Sequence, residues 1–398
     1  MDTSNTALKR RIGPVLLIFY GVGVMVGAGI YVLTGTIAGE AGVWAPVAFL
    51  LAGLIAGPTA LSYGELSARI PESGGEAAYV REALGAEWPA VVIGLLIVSA
   101  GTVSAGAVLQ GGVGYLTGLV EIDRTLLIVV IGSMLTLIAV LGVIGSLRFV
   151  AILTLIEIAG LVLIIAVGIA PVSEPVVLGD HSFDMRAVAF GASLAFFAFI
   201  GFEDMVNLAE ETVNPGRTMP KAIIWALAIT TLLYALVAFV SVRVVAPVQL
   251  ASSYQPLALV FETATGRPAW FLSLVAVMAA LNGVLAQIIM ASRVLFGLAR
   301  RITYLRVFGQ VSETRGTPVV ASVLIGGLVI LAALTLDLQT LAETTSMLLL
   351  FVFCVMNAAL LILKSQDRPA PEFEVHRLVP VAGLILSGLA LVIALFGS

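Results

Sequence analysis

Apolar residues fall in long runs along this chain, separated by short segments where charge, proline and glycine collect. A run of about 20 apolar residues has the length of a helix that crosses a bilayer. Such runs lie near residues 12–36, 43–68, 88–119, 125–146, 148–171, 184–211, 219–245, 268–299, 317–336, 338–363 and 378–397. The pattern predicts an all-α membrane protein with about 11 transmembrane helices in a single domain spanning residues 1–398. The polar stretch Val248–Gly266 after the seventh span suits a short surface helix. The amphipathic stretch Pro71–Gly85 suits a helix lying on or dipping into the membrane face.

Two of the runs are interrupted by glycine at corresponding places. The first reads Val24-Met25-Val26-Gly27-Ala28-Gly29-Ile30-Tyr31, and the second Phe196-Phe197-Ala198-Phe199-Ile200-Gly201-Phe202-Glu203. A break in a membrane helix exposes backbone groups that lipid cannot satisfy, so it survives where those groups are buried in protein or face a ligand. The interrupted runs are spans 1 and 6. Each heads a set of five, residues 12–171 and 184–363, and an odd number of spans reverses the direction of the second set. This predicts two inverted repeats of five spans, with residues 378–397 as a peripheral helix.

The breaks have opposite polarity. Glycine lets a backbone amide approach a ligand closely. A half-helix starting near Gly27–Ile30 presents free N–H groups and a positive dipole end, which suit a carboxylate. The half-helix ending near Ile200 presents free carbonyls, which suit an ammonium. Together they suggest a zwitterion such as an α-amino acid. Glycine also serves close helix packing, and Gly23 with Gly27 forms a GxxxG pair, as do Gly53 with Gly57 and Gly114 with Gly118. Of the aromatic residues Phe196, Phe197, Phe199 and Phe202, Phe197 is the best candidate for a gate over the substrate.

Composition agrees with the span reading. The chain is 60% hydrophobic and 11% charged, where soluble domains carry roughly 25% charged residues. Its one cysteine, Cys354, excludes an internal disulfide and a cysteine-cluster metal site. His181 and His376 lie in polar linkers without partners for metal binding or catalysis. No metal, cofactor or nucleic acid partner is expected, and lipid is expected around the helices. The polar N-terminus runs into a first span too long for an h-region, so no cleavable signal peptide is expected.

Lys and Arg set the orientation. With the N-terminus in the cytoplasm, Lys9, Arg10, Arg11, Arg69, Arg81, Arg148, Arg217, Lys221, Arg293, Arg300, Arg301, Arg306, Arg315, Lys364, Arg368 and Arg377 fall inside. Arg124, Arg186, Arg243 and Arg267 fall outside. Eleven spans then place the C-terminus outside.

These residues resemble the amino acid–polyamine–organocation transporters over nearly the whole chain. Gly27–Ile30 matches the family's Gly-x-Gly-Ile motif. Pro71-Glu72-Ser73-Gly74-Gly75, followed by Tyr79, is similar to its first-loop pattern. Gly201-Phe202-Glu203, Glu210-Glu211, Asn214-Pro215, Arg217 and Pro220 resemble its span-6 signature. Ala291-Ser292-Arg293 and Gly316-Thr317-Pro318 are also family-like.

The resemblance implies the five-plus-five inverted-repeat fold and alternating access. It implies that amides at Gly27, Ala28 and Gly29, beside Ile30, hold a substrate carboxylate. It implies that carbonyls near Met25, Phe197 and Ile200, beside Gly201 and Phe202, hold its amine. A bacterial permease of the inner membrane is the expectation. Many relatives have twelve spans and pair the last two in a dimer, so oligomeric state does not carry over to eleven.

Span 5 departs from the family as well. Glu157 stands where relatives often have lysine, about 14 Å into the bilayer from Arg148 at 1.5 Å per residue. No Lys or Arg stands three or four residues away. An ionised carboxylate there is expensive, which points to a coupling proton or another cation. Glu203 resembles the acidic residue often implicated in proton sensing. Asp204 points about 100° further round the helix, as a structural partner. Glu210 and Glu211 suit ion pairs with Arg293 that hold an inner gate, and Glu65 is similar. Glu343, Ser99, Thr102, Ser104, Asn282, Gln287, Thr344, Thr345 and Ser346 are polar candidates for the pathway.

The leading expectation is a secondary active amino acid transporter, proton-coupled or exchanging, with the mostly apolar, aromatic pocket favouring neutral side chains. A polyamine or organic amine transporter and a transporter-like amino acid sensor are the alternatives. A channel suits discontinuous half-helices less well. A membrane enzyme lacks a paired nucleophile and base, a metal-ligand cluster and a phosphate loop.

Overall fold

A computed structural model describes residues 10–72, 75–142, 147–170, 183–300, 303–312, 317–366 and 369–396. Ser73, Gly74, His181, Arg301, Arg315, Gly316, Arg368 and Lys9, named above, lie outside them, as does the side chain of Arg148. Among the described residues regular structure is helical, apart from one isolated parallel bridge between Ile12 and Thr212.

Nine helical stretches there are long and apolar enough to cross a bilayer, and Pro14–Val26 and Val319–Thr335 are shorter apolar helices. The first of the nine, Gly29–Arg69, turns at Gly42, where φ is 58°. It joins the second half of span 1 to span 2. With that stretch divided and Val319–Thr335 counted, the eleven expected spans are present.

Span 1 is α1 (Pro14–Val26) and α2 (Ala28–Ala41). Span 2 is α3 (Ala45–Arg69). The amphipathic loop forms α4 (Gly75–Leu84), and spans 3, 4 and 5 are α5 (Glu87–Thr117), α6 (Arg124–Leu141) and α7 (Leu147–Ile169). Span 6 begins as α8 (Met185–Ala195), continues as a 3-10 turn over Phe196–Phe199 and resumes as a 3-10 helix over Glu203–Glu211. Span 7 is α9 (Pro215–Val244). The polar segment after it carries two short helices, α10 (Pro247–Ser252) and α11 (Pro256–Thr265). Spans 8 to 11 are α12 (Trp270–Ala299), α13 (Val319–Thr335), α14 (Leu338–Ser365) and α15 (Leu378–Phe396).

Small residues let the spans approach. α3 lies along α9, and a Cβ built on Gly53 would stand 2.5 Å from the Thr231 hydroxyl. Lower on the same pair, Gly64 faces Pro220 at 3.2 Å. Without a hydrophobic force between helices in lipid, such packing and interhelical hydrogen bonds drive association.

The eleventh span, expected at the periphery, packs along α14, α3 and α8. A buried polar network joins these helices. Asn357 of α14 donates to the Thr59 hydroxyl of α3 at 2.9 Å and to the Phe353 carbonyl at 2.8 Å. Its carbonyl oxygen accepts from the Ser62 hydroxyl at 2.7 Å. Thr59 lies 3.3 Å from the hydroxyl of Ser387 on α15. Every member has a partner, as a buried network requires. Asn357→Ala removes the bonds that link α14 to Ser62 and Thr59 and is expected to destabilise the fold by about 1–3 kcal/mol, read as a lower unfolding midpoint in detergent.

Candidate functional site

The first break is confined to one residue. α1 ends at Val26, Gly27 takes φ −33° and ψ −160°, and α2 starts at Ala28. The Gly27 N–H still bonds the Gly23 carbonyl at 3.2 Å. The N–H groups of the first turn of α2 have no carbonyl four residues back inside that helix. Gly23 and Gly27 serve different ends. A Cβ on Gly23 would collide with Thr154 of α7, whereas one on Gly27 would meet nothing closer than the Val24 carbonyl at 3.4 Å. Packing accounts for Gly23 and not for Gly27.

The second break is longer. Ile200 is extended, with ψ 133°, and Gly201 has φ 124°, a conformation that L side chains rarely adopt. A Cβ on Gly201 would also stand 2.5 Å from Val24 of the first break. The freed Gly201 N–H donates to the Glu203 carboxylate at 2.9 Å. A Cβ on Gly29 would lie 3.1 Å from the Ala198 Cα, so the backbones of the two breaks meet there as well.

One side chain joins them. The Tyr234 hydroxyl of α9 lies 2.5 Å from the Met25 carbonyl and 3.0 Å from the Ala198 carbonyl. A phenol carries one proton, so it serves two acceptors with a single donor. Two more tyrosines extend the arrangement. Tyr31 of α2 donates to the backbone carbonyl of Glu157 at 2.7 Å, and Tyr115 of α5 donates to the Tyr31 carbonyl at 2.7 Å. Tyr115 in turn accepts from the Leu257 N–H at 3.2 Å, tying in α11.

The residues named from sequence gather here. Met25, Gly27, Ile30, Phe197, Ile200, Gly201 and Phe202 are all buried around the breaks, and Ala28 begins α2. Three of the four phenylalanines have ring partners: Phe196 on Phe353, Phe199 on Tyr234, and Phe202 on Tyr63 and Phe353, with centroids 5.1–5.7 Å apart. Among the described residues Phe197 has no ring partner, and its edge lies 3.8 Å from a Cβ built on Gly29.

The acidic residues divide by partner. Glu157 is 3% exposed, and its Oε2 is buried with no hydrogen bond among the described residues. Glu203 caps the second break, while Asp204 is half-buried. Glu65 is paired with Arg69 and Lys364. Arg293 is exposed and makes no ion pair with Glu210 or Glu211 among the described residues. The Glu211 carbonyl instead accepts the N–H groups of Arg11 and Ile12 at 2.8 and 3.0 Å, tying the start of span 1 to the end of span 6. Of the polar candidates, Thr102 and Thr345 bond carbonyls of their own helices, Ser99 is exposed, and Glu343 accepts from Gln339. The Ser346 hydroxyl and the Gln287 Oε1 are buried without a hydrogen bond among the described residues.

Sequence reading missed Tyr234, Tyr31, Tyr115 and Glu76. Glu76 opens α4 and accepts from the Tyr63 hydroxyl at 3.2 Å. Burial pushes its carboxyl from 4.5 up to about 7, with the nearby Asp204 adding to the rise and hydrogen bonds from its own backbone N–H and from Tyr63 opposing it.

Two interrupted spans meeting inside a multi-pass helical protein are the arrangement of a membrane transporter. The family follows by comparison. The family profile described as amino acid permease matches residues 12–398, and the chain belongs to that family. It is 30% identical to the branched-chain amino acid permease BcaP of Bacillus subtilis, over 99% of this chain and 88% of that protein. It is 30% identical to the methylthioribose transporter of the same organism, over 98% and 89%. It is 28% identical to the vacuolar cationic amino acid transporter 4 of Arabidopsis thaliana, over 90% of this chain and 64% of that protein.

The Glu76 carboxyl holds a proton in the fold that the unfolded chain releases between pH 4.5 and about 7. Stability from this group therefore falls as pH rises through that window, by up to about 3 kcal/mol. Glu76→Gln should lose less stability than the unaltered protein between pH 5 and pH 7.5, measured by unfolding midpoints of both in detergent.

Proposed function

We propose that this permease is a secondary active transporter that moves a neutral α-amino acid by alternating access. The observation that carries the reading is the meeting of the two breaks at Tyr234. The amides at Gly27, Ala28 and Gly29, at the positive end of α2, hold the substrate carboxylate. The carbonyls near Met25, Phe197 and Ile200 hold the ammonium. Tyr234 supports this, because its one proton leaves acceptor capacity on the Met25 and Ala198 carbonyls for a second donor. Phe197, without a ring partner, covers the substrate.

Residues 12–171 and 184–363 act as inverted repeats. Supporting this, an interrupted span heads each set and the two interruptions stack. The face bearing the N-terminus lies toward the cytoplasm of a bacterial cell, as the Lys and Arg distribution favours. Glu157 and Glu203 carry the coupling proton. The Oε2 of Glu157, without a hydrogen bond among the described residues, supports its part, since a carboxylate at that depth needs a proton or a cation. Neutral side chains are favoured by the phenylalanine-rich surroundings and by the 30% likeness to a branched-chain permease. A second reading, a non-amino-acid substrate, rests on the equal likeness to a methylthioribose transporter.

Purified protein in liposomes should accumulate labelled L-leucine against a gradient. Binding without accumulation would instead identify a sensor, and methylthioribose uptake without leucine uptake would favour the second reading. Gly27→Leu should cut uptake at least about tenfold, an affinity loss of about 1.4 kcal/mol or more. Its unfolding midpoint is expected to hold, because a Cβ there meets nothing closer than the Val24 carbonyl at 3.4 Å. Glu157→Gln should bind leucine yet lose the dependence of uptake on an imposed proton gradient; an unchanged gradient response would remove Glu157 from the coupling step.

A further inference from the structure

The segment between α14 and α15 is short and looks like a loop by composition, Pro369-Ala370-Pro371-Glu372-Phe373-Glu374-Val375-His376-Arg377. Side chains of α3, α9 and α14 nevertheless tie it down. At its centre is Glu65, at the end of α3, fully buried with a 0% exposed side chain. One oxygen, Oε1, takes Arg69 at 2.7 Å and Lys364 at 2.9 Å. The other, Oε2, accepts the Val375 N–H at 2.8 Å. Lys364, at the end of α14 and 3% exposed, also reaches Glu374 at 3.1 Å and the Val375 carbonyl at 2.7 Å. All three of its donors are used. Arg377 closes the loop by donating to the Lys364 carbonyl at 2.9 Å.

The segment continues onto α9. Glu372 pairs with Arg217 at 3.4 Å, and Phe373 lies 3.3 Å from a Cβ built on Gly64 where α3 meets Pro220 of α9. Deeper in the membrane, the Asn357 network joins the same α3 and α14 to α15. Two separate buried polar clusters therefore bind one set of helices at two depths. Parting α3 from α14 would break the Glu65–Lys364 ion pair and the bonds of Asn357 to Ser62 and Thr59, leaving Glu65 with Arg69 and Lys364 with Glu374. Each opening of that surface would break buried bonds at both depths at once, which favours its staying closed.

We infer that α15 and the linker 369–377 are a permanent brace that makes α3, α9, α14 and α15 one rigid unit. The tenth span then moves together with the second and seventh, and opening of the N-terminal face occurs elsewhere. The start of span 1 is tied to the end of span 6 through Ile12 and Glu211, and span 6 leads into α9 within a few residues, so both share an edge with this unit. The inference rests on the alternating-access reading for what moves, and for what does not on the polar clusters together with the packing of α9 against α3 and the linker.

The test uses the full chain in a Cys354→Ala background, which removes the one native thiol. A Cβ built on Gly216 lies 3.4 Å from the Glu372 Cβ, near the roughly 3.5–4.5 Å of a disulfide. Gly216→Cys with Glu372→Cys therefore fixes the linker to α9. With oxidation confirmed complete, leucine uptake within about threefold of the reduced protein is expected of a brace. A larger loss that reductant reverses overturns it, because the linker would then have to lift.

Hydrogen exchange decides the matter without transport. The Val375 amide in the unaltered protein should exchange at least about tenfold slower than exposed linker amides, and equally with and without L-leucine. Fast exchange, or exchange that leucine changes, overturns the brace. If no amino acid is accumulated at any pH while Val375 stays protected, the transport reading fails and the brace stands. Glu65→Gln should raise Val375 exchange about tenfold, and the unaltered protein keeps the test decisive should that variant not fold.

Discussion

A peptide group with no hydrogen-bond partner cannot rest in hydrocarbon, and much of this molecule is arranged around two places where the helix ladder stops. At each stop the freed groups are met by a fixed side chain. Tyr234 faces the Met25 and Ala198 carbonyls, and Glu203 takes the Gly201 N–H. Those side chains must themselves be held. Tyr234 packs its ring between Phe49 and Phe199, with centroids 5.7 and 5.2 Å away. Tyr31 reaches the Glu157 carbonyl across Gly160, where a Cβ would come within 2.8 Å of its hydroxyl. Glycines 29 and 201 let the backbones of the two breaks approach, and glycines 23 and 160 make room for Thr154 and the Tyr31 hydroxyl.

Glu65 and Glu157 show how partner, more than burial, separates structure from chemistry. Both are acidic, both lie in apolar spans, and their exposures are 0% and 3%. Glu65 has two cations and a backbone N–H, so its charge is compensated and its position fixed. Glu157 has a buried oxygen with no hydrogen bond among the described residues. A carboxyl in that setting is stable with a proton on it or with a cation beside it. That difference is what favours Glu157 for coupling and Glu65 for the brace.

The sequence makes the spans and the first break legible because both depend on local pattern. An apolar run of the right length has few alternatives, and Gly-Ala-Gly inside it removes side chains where a helix would want them. Gly201 is legible for the same reason, and its φ of 124° is a conformation glycine accepts. Tyr234 is not legible. It stands 209 residues from the Met25 carbonyl it bonds, and a lone tyrosine in an apolar helix reads as packing. Glu76 hides in a loop motif, although its place on the buried face of an amphipathic helix was a signal. A pairing of Arg293 with Glu210 or Glu211 follows from side of membrane alone. That fixes depth and leaves direction open, and Arg293 points outward. The linker 369–377 reads as a loop because proline and charge mark loops, and only the distant Glu65 and Lys364 reveal that its backbone is bound.

Irregular backbone and rigid packing sit next to each other here for a physical reason. A broken helix has lost the local bonds that stiffen it, so its geometry is set by its neighbours. Were those neighbours soft as well, the carbonyls and amides at Met25, Gly27 and Ala198 would have no defined spacing, and a small zwitterion could not be matched by them. Preorganisation requires that the elements supporting the site give less than the site itself. α3 and α9, which flank the breaks through Tyr63, Phe49 and Tyr234, are the helices that the Glu65 cluster and the linker fix in place. The eleventh span therefore belongs to the site's support even though it touches none of the residues expected to meet a substrate through a hydrogen bond.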